Sequence, residues 1–247
     1  MNSNDLFNSN QHGFRSGRSC LSQLLAHIDH ILDLVEQGMN VDVIYLDFSK
    51  AFDKLDFNIV LNKLSGMGIE GNVLQWIKSF LTDRTQQVSV NGVLSEPAQV
   101  LSGVPQGSVI GPLLFLVLIA DIDQGVIEAI VKSFADDTRV TKGISSQNDI
   151  ETLQSELHKI YKWPADNNMV LNDKKFEGMS YGPNDQLKSN AAYATPLGKS
   201  IPMKNTVKDL GILLSSDCTF SAHIDGILKT IIICMFNSFC YHRLIII

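Results

Sequence analysis

The sequence predicts an α+β fold. Three observations carry that expectation. Apolar residues recur at helical spacing in some stretches and as β-branched runs in others; the two kinds of stretch are intermixed; and they lack the βαβ rhythm of a parallel sheet. Of the 247 residues, 45% are hydrophobic and 19% charged, which suits a globular chain with a sizeable core and excludes a disordered one. The length fits one large domain or two small ones.

Between Ser19 and Gly38, the residues Leu21, Leu24, Leu25, Ile28, Ile31, Leu32 and Val35 mark a helix, with Gly38 as its stop. VDVIYLDF (41–48) reads as a buried strand. Residues 56–82 predict two short helices broken around Gly66–Gly71. QQVSVNGVLSEPAQV (86–100) predicts a hairpin turning at Asn91–Gly92. A helix is expected from about Ser108 to Asp123, with Pro112 tolerated in its first turn. A strand into SFA (133–135), a tight turn at Asp136–Asp137 and a strand out through TRVT follow. Then come an amphipathic helix over about Asn148–Asn168, kinked at Pro164, and short strands ending with VKDLGILL (207–214).

Net charge is −6 and the sequence pI about 5.4, whereas nucleic-acid binders are usually basic. Such binding requires acidic residues gathered at a metal site and basic ones along a groove. Cys20, Cys218, Cys234 and Cys240 show no CxxC spacing, so neither a zinc site nor a disulfide framework is indicated, and reduced thiols in an intracellular protein are expected. MNSNDLFNSNQHGFR has no apolar core, which argues against a signal peptide and secretion. Leu113–Ala120, the longest internal apolar run, is too short to span a bilayer. The greasier Ile224–Ile247 carries Asp225, Lys229, Asn237, His242 and Arg243, and is read as a buried or misplaced segment.

Asp47 stands near the end of a strand, and Asp136 and Asp137 lie together in FADD about ninety residues later. Neighbouring side chains on a straight strand point to opposite faces, so two adjacent Asp serve one site only where the backbone turns. Three carboxylates brought together repel one another or take up protons. A pair of Mg²⁺ ions, whose preferred ligands are hard oxygens, resolves that repulsion, and two such ions roughly 4 Å apart serve in-line phosphoryl transfer. An isolated FADD is equally an ordinary Asp-rich hairpin turn.

The surrounding motifs decide between these readings. YLDFSKAFDKLD (45–56) resembles motif A of the non-LTR retrotransposon reverse transcriptases, SGVPQGSVIGPLLF (102–115) their motif B, and SFADD (133–137) their motif C. QHGFRSGRSC (11–20) resembles the finger segment before motif A, WPADNNMVLNDKKFE (163–177) motif D, and VKDLGILLSSDCTFSAHI (207–224) motif E, the primer grip. The order and intervals are those of the LINE, jockey and CR1-like elements, over roughly residues 10–225.

The resemblance implies a right-hand polymerase: partial fingers over residues 1–40, a palm with inserted finger elements over 41–215, and a truncated thumb start with an atypical hydrophobic tail over 216–247. It implies an RNA-directed DNA polymerase acting on an RNA template, a DNA primer and dNTPs, in nucleus or cytoplasm and away from membranes. Asp47, Asp136 and Asp137 become the catalytic ligands of two Mg²⁺ ions, for which Mn²⁺ is a possible substitute, and Phe48 lends a backbone carbonyl. Phe52 becomes the steric gate against a 2′-hydroxyl, Gln106 a contact to nucleotide or template base, and Gly107 a point of close backbone approach. Lys175, with Lys174 adjacent, becomes the acid for the leaving pyrophosphate; Arg15 and Arg18 touch template phosphate, and Leu210 and Gly211 the primer.

Each role has a structural counterpart: Phe52 as a core residue, SGVPQGS as a turn capped by Ser108, Lys175, Arg15 and Arg18 as solvated charges. Residues after about Lys229 do not carry the resemblance, and the chain is read as a piece of a longer retrotransposon polyprotein or a decaying copy of one. The alternative function is an inactive, truncated reverse-transcriptase-like fragment that at most binds nucleic acid. A two-metal nuclease has no use for motif B or an aromatic gate.

Overall fold

The β-branched run after Gly38 becomes the middle of an antiparallel sheet. In the computed structural model, which describes residues 10–243 and side chains through residue 232, β1 (Asn40–Leu46) lies between β7 (Asp137–Ile144) and β8 (Glu177–Tyr181). β6 (Ile130–Phe134) closes the far side, giving the order β6-β7-β1-β8. Successive side chains of a strand alternate between faces. Ile44 and Leu46, with Val140 and Val131, therefore face a large core. That core is completed by α3 (Phe57–Gly66), α4 (Gly71–Leu81), α5 (Gly111–Leu118) and α6 (Gln147–Asp166). Val41 and Val43, with Met179 and Tyr181, face the other way, against α1 (Cys20–Glu36) and the hairpin of β9 (Thr206–Asp209) and β10 (Ile212–Ser215). Burial on both faces is why β1 is almost continuously apolar. Its inner Asp42 is matched by the Tyr193 hydroxyl, which donates at 2.5 Å, while burial raises the Asp42 pKa.

α1 starts where expected, because Ser19 and Ser22 cap each other's backbone reciprocally, and it ends before Gly38, whose φ is +82°. α3 and α4 appear as the two predicted helices. The Asn91–Gly92 turn also forms, with φ of +51° and +82°, the pattern of a type I′ hairpin. It joins β3 (Ser89–Val90) to β4 (Val93–Leu94) beyond the pair β2 (Thr85–Gln86) and β5 (Ala98–Gln99).

Four expectations need correction. A short helix, α2 (Ala51–Lys54), was not anticipated; it begins after Lys50, whose φ is +52°. α5 spans Gly111–Leu118 rather than Ser108–Asp123. Ser108 Oγ accepts the Gly111 N–H at 3.1 Å, so the hydroxyl caps a turn ahead of the helix. Beyond Leu118 the chain runs in three-residue turns, and Asp121 accepts hydrogen bonds from Lys63 Nζ at 2.6 Å and Trp163 Nε1 at 2.7 Å. The third correction is at FADD: Phe134 pairs with Asp137, so the turn residues are Ala135 and Asp136, and Asp137 opens β7. The fourth concerns the tail. In α8 (Ser221–Arg243), Ile224, Ile227, Leu228, Ile231 and Ile232 are about half exposed rather than buried. The tail's side chains from residue 233 on, and the N-terminal residues 1–9, lie outside the described residues.

Candidate active site

The β1–β7 register places the first two carboxylates. Leu46 pairs with Thr138, so the next position outward sets Asp47 against Asp137, on the face that also carries Tyr45 and Arg139. Asp136 stands beside them at the hairpin turn, after Ala135, whose φ of +55° is a left-handed conformation that favours glycine.

Two residues not anticipated from the sequence hold that turn. Gln11 Oε1 accepts the N–H groups of Gly13 at 2.7 Å and Ala135 at 3.1 Å, and its Nε2 donates to the Ala135 carbonyl at 3.5 Å. Gly13 lies so close that a Cβ there would stand 2.4 Å from the Ala135 nitrogen. The segment around Gln11 thus lies alongside β6 as a parallel bridge to Ser133 and brackets the Ala135–Asp136 turn. The only cue in the sequence was an amide and a glycine, two residues apart, in an otherwise polar stretch.

Electrostatics tie the three acids together. Asp136 is half-buried, and its pKa is raised by burial and then by the charge of Asp47. The Asp137 pKa is raised by burial, then by Asp136 and Asp47, against the lowering effects of Arg139 and Lys175. Lys175 Nζ lies 3.2 Å from Asp47 Oδ2, so it is Lys175 rather than Lys174 that reaches the acids. Among the described residues no three His, Cys, Asp or Glu side chains stand together as a ready-made metal site. The donor set nevertheless suits a hard divalent cation: three carboxylates on adjoining strand ends, with the ammonium of Lys175 already drawn in as a counter-charge.

Asp47, Asp137, Lys174 and Lys175 line an open cleft of about 510 Å³ whose other wall is Lys208, Asp209, Leu210 and Gly211. Leu210 and Gly211 form the β9–β10 turn, with φ of +46° and +88°. Behind it lies a second unanticipated pair: Arg139 Nη2 donates to Asp209 Oδ1 at 2.7 Å, with both side chains almost wholly buried. Burial pushes the Asp209 pKa up to about 6 although Arg139 opposes it. A cue existed, since Asp209 falls on the same face of its strand as apolar Val207, and a charge at an inward position demands a partner.

The motif B loop docks on motif A. Val104 N–H donates to the Phe52 carbonyl at 3.0 Å, Gly103 N–H to that of Leu55 at 2.8 Å, and Ser102 Oγ to that of Asp53 at 2.8 Å. Gly103 is the close approach: its φ is +83° and a Cβ would sit 2.7 Å from the Asp53 carbonyl oxygen. Gly107, expected in that role, would have nothing within 4 Å of a Cβ; its φ of +81° is what calls for glycine. Arg84 clamps the loop by donating to the carbonyls of Leu81 and Gly103, each at 2.8 Å. Gln106 Nε2 donates to Asp53 Oδ1 at 3.0 Å. The Phe52 ring stacks on Phe115 at 4.5 Å and meets Phe14 edge-on at 6.1 Å, while one side lines an open cavity of about 380 Å³ with Gln106 and Gly107. A larger cleft of about 960 Å³ carries Lys50, Lys54 and Arg84 along its wall.

Phe48 is buried, with its ring edge-on to Trp163 at 5.8 Å. Arg15 and Arg18 are not brought to the carboxylates. Arg15 donates to the Gln11 carbonyl at 3.3 Å, and Arg18 Nη1 meets His12 Nε2 at 2.8 Å, beside the start of α1.

The family model described as reverse transcriptase (RNA-dependent DNA polymerase) matches residues 1–214. The chain is 30% identical over 228 residues to the RNA-directed DNA polymerase from mobile element jockey of Drosophila melanogaster, covering 88% of this chain and 24% of that protein. It is 29% identical over 223 residues to the probable RNA-directed DNA polymerase from transposon X-element of the same organism, with 88% and 24% covered. The chain thus spans about a quarter of the length of these relatives. Among solved structures, telomerase from Candida albicans in complex with a TWJ fragment of telomeric RNA superposes with a TM-score of 0.57 at 14% identity, covering 84% of this chain and 34% of that one. Apo telomerase from Candida tropicalis, truncated from its C-terminal domain, gives 0.54 at 14%, covering 79% and 39%. At that identity the likeness speaks for the fold alone, a right-hand polymerase.

Proposed function

Because the chain belongs to the reverse transcriptase (RNA-dependent DNA polymerase) family, we propose that it is the polymerising core of a non-LTR retrotransposon reverse transcriptase. It extends a DNA primer on an RNA template by transferring nucleotidyl groups from dNTPs to the primer 3′-hydroxyl. The observation that carries this reading is the antiparallel register that sets Asp47 beside Asp137, with Asp136 in the adjoining turn and Leu210–Gly211 across the same cleft. Residues 41–215 form the palm with its inserted finger elements, residues before it the partial fingers, and residues after it the thumb start.

Asp47, Asp136 and Asp137 would hold two Mg²⁺ ions, or Mn²⁺ in their place, with the Phe48 carbonyl as a further ligand. Such ions, when bound, would lower the pKa of the attacking hydroxyl and offset charge on the leaving oxygen. The protein's own part is positioning and electrostatics. The Leu210–Gly211 tip holds the primer end toward the carboxylates. The Phe52 ring, backed by Phe115, occupies the space that a 2′-hydroxyl would need. Gln106, steadied by Asp53, meets the incoming nucleotide or the template base, and Gly107 gives the loop its turn. Lys175 leaves Asp47 and protonates the pyrophosphate oxygen. Arg15 and Arg18 touch template phosphate from the finger side. The protein works inside the cell, in nucleus or cytoplasm; among the described residues no helix is long and apolar enough to cross a membrane.

Primer extension with an RNA template, a DNA primer, dNTPs and Mg²⁺ tests the reading. Incorporation by the parent chain that disappears in Asp136→Ala is expected; incorporation that survives this change would show that the site lies elsewhere. One observation favours the second reading, a fold that binds template–primer without extending it: Asp47 is engaged by Lys175, and the acids do not yet converge on one point. That fold would bind with steep salt dependence and incorporate nothing.

A further inference from the structure

The β9–β10 hairpin forms its own two-stranded sheet, separate from the four central strands; Gly178 of β8 holds the segment leading into it through backbone hydrogen bonds to Pro202 and from Lys204, and side chains orient the hairpin beyond that point. Val207 and Leu214 supply apolar packing against Met179 and Tyr181, but such contacts do not define an angle. Direction comes from Arg139, whose guanidinium rises from β7 two residues after Asp137 and opposite Tyr45, itself two residues before Asp47. It reaches Asp209, the residue immediately before the Leu210–Gly211 turn, at 2.7 Å. One arginine thus spans the strand ends that carry the acids and the hairpin that faces them across the cleft.

We propose that Arg139 and Asp209 are positioning residues, whose buried ion pair latches the Thr206–Ser215 hairpin onto the face of the sheet carrying Asp47 and Asp137 and so sets where a primer end is held. The proposal rests on the reverse-transcriptase reading. A buried ion pair roughly breaks even in stability against apolar residues of similar size, so its removal separates latching from folding. Among the side-chain hydrogen bonds described for the Thr206–Ser215 hairpin, this pair is the one that reaches the four-stranded sheet.

The double variant Arg139→Leu/Asp209→Leu is compared with the parent full chain by thermal melting, amide hydrogen exchange and anisotropy of a labelled RNA–DNA template–primer. It should melt within a few degrees of the parent. Amides of 206–215 should exchange about tenfold faster while those of β6 and β7 do not change, because local opening is confined to the released hairpin. Template–primer affinity should fall about tenfold, a factor equivalent to about 1.4 kcal/mol. Arg139→Lys, which keeps the cation, should recover part of both losses. Should the double variant fail to fold, Asp209→Asn, of nearly the same shape, gives the same exchange comparison. Unchanged hairpin exchange, or acceleration spread evenly over the sheet, overturns the latch. Neither binding nor exchange requires catalysis: a parent chain that extends no primer sinks the polymerase reading while the exchange data still decide the latch.

Discussion

At Asp136 and Asp137, burial and neighbouring negative charge raise both carboxyl pKa values above 3.8. An acid with a raised folded pKa takes its proton more readily when folded. Its contribution to stability is full below the unfolded value and is lost as pH climbs through the folded one. Without a cation these acids therefore oppose folding at neutral pH, as functional sites commonly do. Asp137→Asn should melt slightly higher than the parent at pH 7 in the presence of a chelator, a small effect because Asp137 is exposed and solvent screens its charge. The difference should close as pH is lowered toward 4; a variant less stable at pH 7 would show that the charges are not strained. Phe52 makes a separate prediction at this scale. Phe52→Val keeps a hydrophobic residue against Phe115 but removes the ring from the cavity wall, so ribonucleotide incorporation should rise by at least about tenfold, roughly 1.4 kcal/mol of discrimination. Unchanged sugar selectivity in single-nucleotide incorporation would remove Phe52 from the gate.

Among the elements, the motif B loop separates two glycines that look alike in the sequence. Both Gly103 and Gly107 have positive φ, which costs an alanine roughly 1–2 kcal/mol. Gly103 additionally meets the Asp53 backbone, whereas Gly107 faces open space. Gly103→Ala should therefore lower the melting temperature clearly more than Gly107→Ala does, and it should also displace the loop that carries Gln106. Equal losses would mean that the loop does not dock on motif A as described. Local periodicity made most elements legible: α1, β1, α3, α4 and the Asn91–Gly92 hairpin follow from spacing, caps and turn residues. The errors lie where tertiary contacts override local pattern. The end of α5 is set by Asp121 turning to Lys63 and Trp163, and the FADD turn sits one residue early because Gln11, far away in sequence, holds Ala135.

Across the whole molecule, the acidic net charge of −6 has a place in the fold: part of it is concentrated at Asp47, Asp136 and Asp137, while Lys50, Lys54 and Arg84 line a separate cleft. The candidate site was legible as motifs, because Asp47 and FADD are short local signals. Its supports, Gln11 and the Arg139–Asp209 pair, were not, because each joins residues 70 or more positions apart. Polymerase chemistry here requires the three carboxylates to act as a single cation site, and thermal melting of the metal-free chain against increasing Mg²⁺ addresses that requirement most directly. A bound ion stabilises the fold by RT ln(1 + [L]/Kd), about 2.7 kcal/mol at a hundredfold excess over Kd. The parent should melt several degrees higher in saturating Mg²⁺, and Asp47→Asn and Asp136→Asn should each lose most of that rise. A parent that does not respond, or variants that respond as fully as the parent, would contradict a shared cation site.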